Sequence, residues 1–253
     1  MDIGTKTVDG PRYASESRGQ TEMPDRIAES SQRAYARFAG LMYLLVLVFD
    51  VAGLIITSSI AGAGNFVETS QRIMASETLY RFGLSCSLVG SLSTILLAVG
   101  LYVAVRPVDG NLGMMALLFR AAEAAIGAMG IIVAFTVLQI YLAANHASAF
   151  DANQLGALAD LSSGVGTEVS AIFFSVGSTL FFYVFLKSNY IPRVLSAWGI
   201  FASLVYLAVW FMRLILPQSS ATATAYASLP ILIAELSTGL WLLIKGIKIQ
   251  PSH

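Results

Sequence analysis

Six apolar runs, each close to the ~20 residues that cross a bilayer as a helix, dominate this chain. They lie at about 38–60, 82–105, 117–143, 167–186, 195–216 and 229–249. In lipid every backbone N–H and C=O must be satisfied internally, and a single apolar segment of this length does so only as a helix. The expected fold is therefore all-α, a polytopic bundle of six transmembrane helices. Composition agrees: 56% of residues are hydrophobic and 12% charged, against about a quarter charged in ordinary soluble domains.

Lys and Arg placement gives the expected orientation. Lys6, Arg12, Arg18, Arg26, Arg33 and Arg37 precede span one. Arg106 lies between spans two and three, Lys187 and Arg193 between four and five, and Lys245 and Lys248 after span six. These eleven fall on one side; Arg72 and Arg81 fall on the other. Both termini are expected in the cytoplasm, with the chain as a multi-pass protein of the inner (plasma) membrane. Residues 1–23 lack the apolar core of a signal peptide and read as a disordered tail. Residues 24–36 read as a solvated juxtamembrane helix, and 37–250 as the membrane domain. Two loops carry helical amphipathic patterns, Phe66–Val67–Ser70–Ile73–Met74 and Leu155–Leu158–Ala159–Ser162, the second after a candidate N-cap at Asp151.

Charges inside the apolar runs locate a candidate site, because an ionised side chain at the bilayer centre costs about 2.5–3.5 kcal/mol on insertion scales. These are Asp50, Arg120, Glu123, Glu168, Arg213 and Glu235, with Arg81 at a span edge. On span three, Arg120, Glu123, Gly127, Gly130, Ala134 and Tyr141 share one stripe. It joins an i, i+3 ion pair to small residues that allow close helix approach, so span three reads as a central packing helix. Counting ~1.5 Å per residue places Asp50, Glu168, Arg213 and Glu235 together toward the outer side and Arg120–Glu123 in the inner half. Three carboxylates then face Arg213, with Arg81 at the rim. Once both arginines are paired, the remaining acid is protonated or free to hold a cationic ligand.

Catalysis finds little footing. His146 and His253 both lie outside the spans, Cys86 stands alone, and no phosphate-cradling glycine loop or protease-type Gly-x-Gly-Asp surrounds Asp50 or Glu235. No metal and no cofactor are expected, and no basic patch favours nucleic acid.

Several short segments carry a resemblance: Ala36-Arg37-Phe38-Ala39-Gly40-Leu41-Met42-Tyr43-Leu44, Ala75-Ser76-Glu77-Thr78-Leu79-Tyr80-Arg81-Phe82-Gly83, Leu101-Tyr102-Val103-Ala104-Val105-Arg106-Pro107-Val108, Phe119-Arg120, and Ser188-Asn189-Tyr190-Ile191-Pro192-Arg193-Val194-Leu195. Over about residues 34–217 the chain resembles the family catalogued as domain of unknown function 4386. That resemblance implies a six-span bacterial membrane protein and brings no activity with it.

The functional expectation is a membrane protein with Asp50, Glu168, Arg213, Glu235 and Arg81 around a polar cavity. Arg120–Glu123 serves as a structural ion pair. Its partners would be membrane lipid and a small molecule, lipid headgroup or proton, in a transport or sensing role; the sequence specifies no oligomeric state. The alternatives are a structural or regulatory component without ligand, whose charges serve helix packing, and an intramembrane enzyme.

Overall fold

A computed structural model describes residues 12–143, 150–164, 166–216 and 221–248, with side chains from Glu29 onward except at 221–223. In chain order the helices are α1 (Arg12–Ala61), α2 (Phe66–Ala75), α3 (Glu77–Val105), α4 (Gly110–Ala143), α5 (Ala152–Ser162), α6 (Thr167–Ser188), α7 (Arg193–Ile215) and α8 (Ala221–Ile244). The six long ones carry the six apolar runs, each long and apolar enough to cross a membrane. The protein is a multi-pass membrane protein.

The six spans form a ring in sequence order. Each long helix packs antiparallel against the next, α1 against α3, α3 on α4, α4 on α6, α6 on α7 and α7 on α8; α8 then closes back onto α1. Close approach at the seams is made by missing side chains. A Cβ at Gly53 of α1 would meet Ser87 Oγ and the Gly83 carbonyl of α3. At the closing seam, a Cβ on Gly40 would strike backbone atoms of Gly239 and Leu243. Outward positions such as Leu118, Ile132 and Ile215 stay exposed, as lipid-facing residues should be.

The short helices cover one end of the ring. α2 and α5 form where the amphipathic patterns predicted helices, because each starts on a working cap. Asn65 accepts from Glu68 N at 2.9 Å. Asp151 accepts from Gln154 N at 2.9 Å, and Gln154 Oε1 accepts from Asp151 N at 3.0 Å, a full capping box. Arg72 fastens α2 to the end of α1 by donating to the carbonyls of Ile60, Ala61 and Ala63. Phe66 stacks on Tyr141 of α4, 5.2 Å between centroids.

At the opposite end, the helix that enters α1 differs from its expectation as a solvated extension. Gln32 is buried and its amide donates to the Ala104 carbonyl at 2.6 Å and to Tyr190 Oη at 2.8 Å. A buried amide satisfied twice docks this segment on α3 and on the turn before α7. Helix also continues back to Arg12, so residues 12–23 are not a coil. Once a helix is nucleated, each added residue propagates it cheaply, and Ala14, Glu16, Gln20 and Glu22 are good helix formers. Residues 1–11 lie outside the described residues.

Asp109, just before α4, joins the same end: it accepts from Leu112 N at 3.1 Å and pairs with Lys187 Nζ at 3.0 Å. The Leu112 N–H, then the lysine, hold its carboxyl below the usual carboxylate range.

Span three is not the central helix its stripe suggested. Only 11% of the most apolar stretch of α4 is buried, against 28% or more in the other spans. A ring has no central helix, and the small residues of α4 face the space that the ring encloses.

Candidate functional site

That space is a cavity of about 810 Å³ walled by all six spans. It reaches from the α5–α6 link (Ser162, Ser163, Gly164, Gly166), past Tyr80 of α3, to Asp50, Thr94, Glu123 and Glu235. From Tyr80 to Thr94 is about 21 Å along α3 at 1.5 Å per residue, so the cavity ends near mid-bundle. Gly127 and Gly130 form part of its wall. A Cβ on Gly127 would meet Ser91 Oγ only at 3.4 Å, an ordinary contact.

A buried charge cluster closes the deep end. Arg120 of α4 is 2% exposed. Its Nη1 lies 3.1 Å from Glu123 Oε2, 3.7 Å from Glu235 Oε1 of α8, and 3.4 Å from Ser178 Oγ of α6. Ser178 Oγ donates to Glu235 Oε1 at 3.1 Å. The guanidinium carbon sits 4.7 Å above the Phe174 ring, a cation–π arrangement. Gly177 makes the room: a Cβ there would press on the Arg120 chain at 2.9 Å. One cation thus ties α4, α6 and α8 together, and each partner lowers the large cost of removing the guanidinium from water.

Asp50 of α1 stands apart from this arrangement. It is exposed into the cavity, with its carboxylate against the backbone of Gly90 on α3. Among the described residues it has no ion pair and no hydrogen bond.

The remaining expected site residues go elsewhere. Arg213 Nε lies 3.4 Å from Glu168 Oε1, with its guanidinium 5.3 Å over the Trp210 ring and Nη1 3.4 Å from Thr224 Oγ1. This pair is about one-third exposed and does not line the cavity. Arg81 pairs with Glu77 one turn away at 2.7 Å and is half-buried. The expected division by depth is corrected accordingly: Arg120 and Glu123 belong with Glu235, and the two glutamates face the same cavity as Asp50, while Glu168–Arg213 is a separate pair nearer the α5 end. Residue counting misled because apolar runs do not begin in a common plane; α4 starts at Gly110, well before its run at about 117.

Sequence reasoning also missed the hydroxyl face of α3, where Ser87, Ser91 and Thr94 line the wall. Their i, i+4, i+7 spacing was available as a signal, although no charge drew attention to it. Among the described residues no group of three His, Cys, Asp or Glu converges as a metal site, and Cys86 is buried and free. The cavity therefore offers a free carboxylate, a row of hydroxyls and an aromatic wall of Phe174, Tyr206 and Trp210. Such a surface can bind and orient a molecule.

Neither a curated protein nor a solved structure matches the chain. A family model does, over residues 38–246, and so takes in all six spans and every residue of the cavity. This reaches beyond the motifs quoted above, which stop before α8. Covering most of the chain, the match establishes that the protein belongs to the family described as Domain of unknown function (DUF4386).

Proposed function

We propose that this protein binds a small, largely apolar molecule in the cavity enclosed by its six spans, entering from the α2–α5 end, as part of a transport or sensing role. The observation that carries this reading is the cavity itself. Its volume falls in the range of ligand pockets, about 300–1,000 Å³, every span contributes to it, and it reaches Asp50 and Glu235. A structural component has a specific observation in its favour too: Glu123, Glu235 and Glu168 are each held by an arginine. Helix pairing alone, however, needs neither a space of 810 Å³ nor a fourth, unpaired carboxylate.

Gly127→Leu separates the two readings. If Gly127 faces an open cavity, leucine fills space: yield and melting temperature stay near wild type, and fluorescence enhancement of the neutral dye N-phenyl-1-naphthylamine by the purified protein is lost. Should the glycine instead sit in a helix seam, overpacking lowers stability by about 1–3 kcal/mol, and the structural reading becomes the better one.

For orientation we propose the α2–α5 end outside and both termini in the cytoplasm of a cell whose inner membrane holds the chain, on the strength of the basic-residue asymmetry. Cysteine labelling in a Cys86-free background should find Asn145 and Ser219, both outside the described residues, accessible from outside, and Ser188 only from inside. Labelling of either outer position from the cytoplasm alone overturns this orientation.

A further inference from the structure

We infer that the cavity selects organic cations: molecules with an apolar body and a positive group whose charge is taken by Asp50. The inference rests on the cavity-binding reading above and adds the chemical class of the ligand.

Three carboxylates face the cavity, Asp50, Glu123 and Glu235, and its lining contains no Lys, Arg or His. The nearest cation, Arg120, is 2% exposed and lies beneath the floor, engaged with Glu123 and Glu235 at 3.1 and 3.7 Å. Arg213, nearer the mouth, is engaged with Glu168. Every arginine near the site is thus turned toward a glutamate, and Asp50 is left facing the space without a partner. An anion entering here would meet uncompensated negative charge in a low-dielectric setting, where like charges repel most strongly. A cation would remove that charge.

The shape of the site selects against a bare metal ion. Binding a small hard cation requires several oxygen ligands gathered within about 2.0–2.6 Å of one point, whereas among the described residues the acids do not converge in that way. The cavity that Asp50 shares is broad instead. The rings of Phe174, Tyr206 and Trp210 form a continuous run, with successive centroids 5.6 and 5.8 Å apart. Arg120 and Arg213 each cover one face of Phe174 and Trp210, and the ring surface left to the cavity attracts diffuse cations and accepts apolar groups. A carboxylate and a run of rings lining one space of about 810 Å³ fit a quaternary or protonated amine, or a phosphonium, on an apolar frame.

A matched pair of probes tests this on the purified full-length protein in uncharged detergent. Tetraphenylphosphonium and tetraphenylborate have nearly the same size and shape and opposite charge. Binding measured by calorimetry should favour the cation by at least tenfold, and Asp50→Asn should weaken the cation tenfold or more while leaving the anion unchanged. Equal affinity for the two ions in the wild type overturns the inference, and this comparison needs no variant to fold. Retention of full cation affinity by Asp50→Asn overturns it as well. The neutral dye keeps the two levels of argument apart. If the dye binds and Gly127→Leu displaces it, yet the cation is not preferred, only the charge selectivity fails. When neither dye nor ion binds, the cavity reading fails with it.

Discussion

Arg120→Ala should be the most damaging single substitution in this protein, costing about 3–5 kcal/mol, the range for removing one partner of a buried ion pair. The arginine is enclosed, and Glu123 and Glu235 would lose their counterion together. The Phe174 face and the contact with Gly177 would be emptied at the same time. Melting of the purified protein, followed by size-exclusion fluorescence, is the direct measurement. Arg213→Ala provides the scale, since a partly exposed pair such as Arg213–Glu168 contributes about 0–1 kcal/mol. A larger loss from Arg213→Ala than from Arg120→Ala would mean that the bundle is anchored at its α5 end instead of its middle.

Gly40→Leu should be nearly as severe, for a steric reason. At this position any Cβ meets the Leu243 amide nitrogen and the Gly239 carbonyl, both backbone atoms that cannot rotate aside. Gly239 in turn packs against Tyr43 of α1, so α1 and α8 approach through small residues from both sides. Overpacking costs of about 1–3 kcal/mol are usual where side chains can adjust; here α8 itself must move. The expected result is a fall in folded yield and melting temperature well beyond that of Gly127→Leu, which adds the same atoms at the cavity wall, where the nearest contacts are side-chain hydroxyls at 3.4 and 3.8 Å. Equal behaviour of the two substitutions would show that the α1–α8 seam is not closed.

The helices were legible because each carries its own evidence, about twenty apolar residues bounded by charge, glycine or proline. Arg120–Glu123 was legible for the same reason, as an i, i+3 pair on one helix surface. What joins Arg120 to Glu235 is different in kind. It is a contact between the third and sixth spans, fixed by helix overhang and tilt that no local pattern records. The polar face of α3 escaped because a hydroxyl in a span can satisfy itself: Thr94 Oγ1 donates to the Gly90 carbonyl at 3.2 Å, leaving a residue almost neutral in hydropathy yet available to line a cavity. Asp50 was recognisable as costly from its place in an apolar run. Its lack of a partner became visible only when the arginines had been assigned.

A ring closed between its first and last spans also constrains how the protein can be made. Ribosomes deliver α1 before the other five spans and α8 after them, so the seam built on Gly40 and Gly239 joins the two spans most distant in sequence and forms only once α8 has been made. Until then Asp50 lies on a helix with one flank open to lipid, and Arg120 must wait for Glu235 with Glu123 alone. The nascent five-span intermediate therefore carries incompletely neutralised charge in the membrane. Quality control that recognises exposed intramembrane charge would see every unfinished copy of this chain as a target, and α8 as the segment that ends its exposure.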